Sequence, residues 1–355
     1  MYDGGSLFNL LEDRIAILKL GLGRMDSWAM GEKHSAFIST EHQLWICGDN
    51  STLKAYELDI SMDIVAISYG GICWFVDDTG TVWKFKLLND VKPKLFNLPE
   101  IKSISASWCE RGAVIFLDKE GHVWKWRSTI NNSSKYPKMI ERLPSIKSIS
   151  AGFRHYLFLD TAGNAWTTGH SQYGALGLGD ICESKYPVKI PNLPPILEIA
   201  TSRHSLFLDI HGVVWSCGLY NVGQLGYAIE DLNDVQKPPR RIEDLPPIKS
   251  ISAGKYHSLF LDVEGSAWSC GDNSYGQRGH GKLKMPIPIP SRVKNVSEIV
   301  AMKAGFYSSL FVDVFASVWG CGRNDEIQMG VKTQKTRIKT PQKLKIPPPC
   351  GYYFH

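Results

Sequence analysis

Long apolar runs are missing from this chain of 355 residues. None approaches the roughly 18 to 20 residues that a membrane-spanning helix needs, so no transmembrane insertion is expected. The opening MYDGG carries an acid and no basic segment, which does not read as a secretory signal. Cys350 stands too far from the end for a prenylation box. No Gly-x-Ser-x-Gly elbow, His-Glu-x-x-His helix or Walker motif occurs. Catalytic residues, metal ligands and cofactors are therefore expected to be none, and the chain is read as a non-enzyme. Cysteine is sparse, at eight residues, and no Cys-x-x-Cys pair is present. What is there, 43% hydrophobic and 21% charged residues, is the balance of a soluble globular protein with enough length to bury a sizeable core.

The chain repeats itself. Trp45, Trp83, Trp124, Trp166, Trp215, Trp268 and Trp319 follow one another at intervals of 38, 41, 42, 49, 53 and 51 residues. Before each comes a turn phrase such as DTAGNAW, DIHGVVW or DVEGSAW, and before that an apolar run such as YLFL or SLFL. Further upstream stand two apolar residues three apart, for example Ile146 and Ile149, or Ile248 and Ile251. Searching for such internal periods decides the fold class.

Each unit reads as strands. The apolar runs are short, rich in Ile, Val, Phe and Leu, and bounded by Gly, Asp and Pro. Asp160, Asp209 and Asp262 read as turn formers, because Asp accepts backbone N–H groups two residues on and the glycine that follows takes a positive φ. The strands are apolar on both faces, as expected where each sheet is sandwiched between neighbours. Seven small β units stacked face to face predict an all-β seven-bladed propeller, with the tryptophans as large anchors between blades. The units run about 25–60, 61–99, 100–144, 145–194, 195–246, 247–296 and 297–346. Residues 1–24 form an N-terminal segment, read as a short helix or a closing strand, and 347–355 a tail.

The finer motifs resemble one family. After Trp-x-x-Gly come Gly174-Ala-Leu-Gly177, Gly223-Gln-Leu-Gly226, Gly276-Gln-Arg-Gly279 and Ile327-Gln-Met-Gly330. Before the apolar strand stand Ala151-Gly152-x-x-His155 and Ala253-Gly254-x-x-His257-Ser258-Leu259. Together they resemble the regulator of chromosome condensation repeat. Units 4 to 6 fit well and unit 7 fairly. Units 1 to 3 lack the Gly-Gln-Leu-Gly loop, and Trp83 and Trp124 are followed by Lys-Phe-Lys and Lys-Trp-Arg. The resemblance implies four-stranded antiparallel blades. It also implies a protein-interaction scaffold, most specifically a regulator or guanine-nucleotide exchange factor for a Ran-like small GTPase. The alternatives are an adaptor that recruits substrates or host factors in the manner of ubiquitin ligases, and a chromatin or nucleic-acid binder. In one branch, the plant ultraviolet-B receptors, the phrase is Gly-Trp-Arg-His-Thr. Here Gly152-Phe153-Arg154-His155-Tyr156 lacks the tryptophan, which argues against photoreception.

Three features bear on sites. His34, His155, His204 and His257 recur in one slot; ring-related positions stand too far apart to share a metal, so they read as structural histidines. Cys47, Cys217, Cys270 and Cys321 share the slot Trp-x-Cys-Gly and are read as unpaired, reduced thiols, which places the expected compartment in the cytoplasm or nucleus. The glycine loops lack the strand-then-helix context of a phosphate cradle and read as blade loops. Charge is uneven. From Gly281 to His355 twelve Lys and Arg face four acids, a net of +8, which leaves −3 for the rest of a chain whose total is +5. Lys332, Lys335, Arg337, Lys339, Lys343 and Lys345 form one acid-free stretch, and Lys237, Arg240 and Arg241 another. These are the expected partner-binding residues, suited to an acidic protein, nucleic acid or anionic lipid. A monomer is expected.

Overall fold

The computed structural model describes residues 28–31, 34–38, 44–48, 51–56, 64–69, 73–86, 90–93, 98–107, 113–127, 136–171, 173–228, 238–281, 287–329 and 336–344. They form seven four-stranded antiparallel sheets, each drawn from one continuous stretch of chain with its strands in chain order. Blade 1 runs from Trp28 to Tyr56 and blade 2 from Ile64 to Pro93. Blades 3 to 7 cover Ile101 to Met139, Ile146 to Lys189, Ile196 to Arg241, Ile248 to Arg292 and Ile299 to Lys343. The architecture is the β-propeller read from the repeats.

The first strands of neighbouring blades adjoin one another all round, and Trp28–Met30 of blade 1 lies beside Ile299–Ala304 of blade 7. Met30 is buried in the cluster that holds Met302, Ala304 and Leu310 of blade 7. The ring thus closes by packing two blades face to face. Residues 1–24, expected as a helix or closing strand, lie outside the described residues; blade 7 has its four strands without them. The first strands enclose an axial channel of about 220 Å³.

Blade 4 shows why the sequence folds this way. Its strands are Ile146–Ala151, His155–Asp160, Ala165–His170 and Glu183–Lys189. Side chains alternate along a strand. In the second strand Leu157 and Leu159 pack with Ile196, Ile199 and Phe207 of blade 5. Tyr156 and Phe158 pack on the other side with Ile115 and Leu117 of blade 3. Each fully buried side chain of this size contributes about 1.5–3 kcal/mol. The paired isoleucines of the first strand are buried in the same seams, while the serines beside them reach across to the next blade. Ser105 Oγ accepts the Ala151 N–H at 2.9 Å, and Ser252 Oγ accepts the Ala304 N–H at 2.9 Å.

The turn aspartate has two tasks. Asp160 Oδ1 accepts the Asn164 N–H at 2.7 Å, and Gly163 sits at φ 86°. Asp160 Oδ2 accepts the Trp166 indole N–H at 2.9 Å. The same indole bond recurs from Trp83, Trp124, Trp215, Trp268 and Trp319, at 2.6 to 3.1 Å. Burial pushes the Asp160 carboxyl up, but hydrogen bonds from Trp166, Asn164 and Ala162 outweigh it and hold it below the usual range. Trp166 and Trp215 also lie in the seams with the preceding blades. The tryptophan is therefore an anchor between blades that in addition ties down the turn, a bond the sequence reading missed. The side chain of Trp45 lies outside the described residues. The turn then receives the next blade: the Ile196 N–H donates to Gly163 O at 2.8 Å, and the Ile248 N–H to Gly212 O at 2.9 Å.

Candidate functional site

The recurring histidines belong to the seams. His155, His204 and His257 are buried. Their Nε2 atoms lie 2.9, 2.7 and 2.9 Å from Ser205, Ser258 and Ser309 Oγ of the following blade. Each serine donates to a carbonyl in the glycine loop of the histidine's own blade: Ala175 at 2.7 Å, Gln224 at 2.6 Å and Gln277 at 2.7 Å. With the hydroxyl proton so committed, histidine Nε2 must carry the proton that bonds the serine. Burial pulls His155 and His257 down to about 4 and His204 to about 3, so all three are neutral at pH 7. The thiols of Cys270 and Cys321 point at the Gln224 and Gln277 carbonyls, at 3.6 and 3.5 Å. Burial pushes Cys270 up to about 12. Cys47, Cys217, Cys270 and Cys321 are buried and unpaired; Cys109, Cys350 and the side chain of His34 lie outside the described residues. The glycine loops are thus clamps on the next blade. The glycine after the cysteine is needed there too: Gly271 sits at φ 98°, and a Cβ would fall 2.5 Å from Tyr256 O.

In blades 4 to 7 the loops between first and second strands gather on one edge of the ring, beside the mouth of the channel. Blade 4 supplies Phe153 and Arg154, blade 5 Arg203, blade 6 Lys255 and Tyr256, and blade 7 Phe306 and Tyr307. The Arg203 guanidinium lies 4.7 Å from the Phe153 ring and 5.2 Å from the Tyr256 ring. Lys255 Nζ lies 4.9 Å from the Tyr307 ring and donates to its hydroxyl at 2.9 Å. Arg323 stands 5.9 Å from Tyr307 and 5.6 Å from Tyr275, and Arg337 stands 5.1 Å from Tyr275. Cations and rings alternate across four blades, each contact contributing about 0.5–2 kcal/mol. The loops are held by their own backbones. The His170 N–H donates to Arg154 O at 2.9 Å, the Phe153 N–H to Ser202 O at 2.7 Å and the Asp272 N–H to Tyr256 O at 2.9 Å. A surface ordered before binding loses less entropy on binding. At its blade 4 end the strip has a cleft of about 60 Å³, lined by Phe153, Arg154, His155, His170, Ser171, Tyr173 and Arg203.

Of the basic residues singled out in the sequence, Arg337 joins this strip. Lys339 and Lys343 are exposed on the same strand, Arg337–Lys343, the fourth of blade 7. Arg240 and Arg241 are the fourth strand of blade 5. Arg240 lies 4.7 Å from the Tyr227 ring, and Arg241 Nε is 3.3 Å from Glu243. Blade 6 stands between the two basic stretches. Lys237, Lys332, Lys335 and Lys345 lie outside the described residues. As binding residues, sequence reasoning passed over Phe153, Arg154, Arg203, Lys255, Tyr256 and Tyr307, which occupy the variable positions just before the histidine slot. The signal was there: in unit after unit those positions hold an arginine, a lysine or an aromatic. Asp118, Glu120 and His122 of blade 3 come together at a turn. There both Asp118 oxygens are already engaged, by the His122 N–H at 2.7 Å and the Trp124 indole at 2.9 Å.

Comparison with known proteins agrees with this geometry. Models of the regulator of chromosome condensation (RCC1) repeat match residues 146–175 and 248–277, and residues 162–208, 211–261 and 264–312. The chain is 27% identical over 361 residues to the guanine nucleotide exchange factor SRM1 of Saccharomyces cerevisiae, covering 88% of this chain and 73% of that protein. It is 26% identical over 266 residues to the ultraviolet-B receptor UVR8 of Arabidopsis thaliana, covering 69% of this chain and 59% of the receptor. Its fold is similar to the crystal structure of Prp20p from Saccharomyces cerevisiae, a protein described with its binding properties to Gsp1p and histones. The TM-score is 0.65 at 20% identity, over 79% of this chain and 80% of Prp20p.

Proposed function

The chain belongs to the RCC1 repeat family of β-propellers, and from that premise we propose that it is a protein-binding scaffold and, most specifically, a regulator or exchange factor of a Ran-like small GTPase. The observation that carries this reading is the similarity to an exchange factor over 88% of the chain. Exchange asks no covalent chemistry of a propeller. It asks that the nucleotide-free GTPase be bound more tightly than the loaded one, so that the equilibrium between them shifts. An edge of loops held rigid by backbone hydrogen bonds suits that task, because little ordering is left to oppose binding. A cytoplasmic or nuclear compartment belongs to the same reading, since Cys47, Cys73, Cys217, Cys270 and Cys321 stand unpaired and buried among the described residues.

The test is release of a fluorescent guanine nucleotide from a panel of purified small GTPases, Ran included. The expected outcome is acceleration by about tenfold or more at micromolar propeller, a release barrier lowered by about 1.4 kcal/mol. No acceleration for any member removes the exchange reading. A chromatin reading rests on a different observation, the exposed Arg337, Lys339 and Lys343 on one edge strand. It predicts a duplex-DNA mobility shift that weakens steeply with salt; a salt-insensitive shift counts against it.

A further inference from the structure

We infer that the strip of alternating cations and rings on the channel-mouth edge of blades 4 to 7 docks an acidic, carboxylate-rich segment of a partner protein. The inference rests on the scaffold reading above and goes further by naming the chemistry of what is bound.

Charge is the first argument. The four loops that build the strip read Gly152-Phe-Arg-His, Ser202-Arg-His, Gly254-Lys-Tyr-His and Gly305-Phe-Tyr-Ser. They carry Arg154, Arg203 and Lys255 and no acid. Arg337 adds a further cation beside Tyr275, whereas Arg323 on the same ring is already paired with Asp325 at 2.8 Å. Such a surface attracts carboxylates, and an arginine fork meets them with paired hydrogen bonds.

The rings decide against the main rival, a single-stranded nucleic acid. Bases bind by stacking on aromatic faces. Here those faces already have cations over them. Arg154 lies over the Phe153 ring at 5.2 Å and Arg203 at 4.7 Å. Arg323 lies over the Tyr275 ring at 5.6 Å and Arg337 at 5.1 Å. A base would have to displace a guanidinium from its ring, whereas a carboxylate meets the outer edge of the cation and leaves the ring contact in place. The rings therefore act as holders that aim the cations. The cleft of about 60 Å³ beside Arg154, Arg203, His170 and Ser171 has room for a carboxylate, since by the same measure a water molecule needs only about 10–15 Å³.

The test uses the full chain and a short fluorescein-labelled peptide of alternating Glu and Gly, with the same peptide carrying Gln for Glu as reference. Fluorescence anisotropy at low and physiological salt reads the affinity. The double variant Arg154→Glu/Arg337→Glu changes two exposed side chains. It should weaken the Glu peptide by about tenfold or more, as reversing charge at a complementary interface does. The variant Arg240→Glu/Arg241→Glu makes the same net charge change on the outer rim and should alter affinity by less than about twofold. Circular dichroism shows that each variant is folded, and Arg154→Gln/Arg337→Gln replaces the first if it is not. Equal loss in both double variants overturns the inference, because general charge would then explain binding. A thymidine oligonucleotide bound as tightly as the Glu peptide, and weakened by the same variant, also overturns it. The nucleotide-release assay stays separate. Peptide binding without exchange sinks the GTPase reading alone, and exchange without peptide binding sinks this one alone.

Discussion

Where blade 5 meets blade 6, His204, Ser258 and the Gln224 carbonyl lock together through hydrogen bonds of 2.6 to 2.7 Å. Where blade 2 meets blade 3, Trp74, Phe116 and Trp126 fill the corresponding space with rings. The Trp74 and Trp126 centroids are 5.4 Å apart at 61°, and Lys84 Nζ stands 5.6 Å from each. The slots explain the contrast. Blade 2 has no Gly-Gln-Leu-Gly loop in its sequence, and among the described residues no loop carbonyl reaches this seam. In blade 3 the serine slot accordingly holds Val114 and the cysteine slot Trp126. A hydroxyl there would be buried without an acceptor, at a cost of about 1–3 kcal/mol. The seam from blade 7 to blade 1 is a hybrid. Ser308 stands in the histidine slot, and the Ser35 hydroxyl has no hydrogen-bond partner among the described residues. Cys47 Sγ still lies 3.2 Å from the Gln328 carbonyl. Polar seam and glycine loop go together, and an apolar seam replaces both.

Acid is the strongest way to separate the two halves. The three seam histidines have folded values of about 4, 3 and 4, below the unfolded value near 6.5. The unfolded chain binds the extra protons, so their contribution to stability is complete above about pH 6.5 and is lost as pH falls toward 4. The slope is up to about 1.4 kcal/mol per pH unit for each histidine. Hydrogen exchange, corrected for intrinsic rates, should show blades 4 to 6 losing more protection than blades 2 and 3 between pH 7 and pH 5. Equal loss would break the comparison. Next in size is Trp126→Ala, which should cost about 3–5 kcal/mol in urea denaturation through the cavity it leaves. A cost as small as that of Cys270→Ala, which loses only a thiol in the equivalent slot, would show that the rings do not hold that seam. Ser258→Ala should cost about 1–3 kcal/mol by stranding the His204 donor and leaving the Gln224 carbonyl only the weak Cys270 thiol contact. Val114→Ser should cost a similar amount for the opposite reason, and a neutral Val114→Ser would mean that the apolar seam accepts a hydroxyl. The smallest effect concerns blade 7. Its turn has Ala316 at φ 57° where blade 4 has Gly163. Ala316→Gly should raise stability by up to about 1 kcal/mol, read as a higher thermal midpoint; a lower midpoint would show that the turn carries no strain.

The fold was legible in the chain to the level of its blades. The tryptophan ruler, the Asp-x-x-Gly turns and the doubly apolar strands are local patterns, and the sheets follow them unit by unit. The seams and the strip were not legible in the same way. His204 and Ser205 are neighbours in the chain, yet His204 bonds Ser258, 54 residues on. The basic runs stood out because like charges adjoin in sequence, but Arg240 and Arg337 end on different blades. Arg154, Arg203 and Lys255 stand one per repeat and form no run at all.

Repetition alone was enough to specify seven wedges of β-sheet, because a strand that is apolar on both faces needs a like neighbour on each side, and that requirement is written in every unit. Which cation sits on which ring, and which hydroxyl meets which imidazole, came only from closing the ring. Those contacts join residues about fifty positions apart, and it is the angle and spacing between packed blades that brings them within bonding distance.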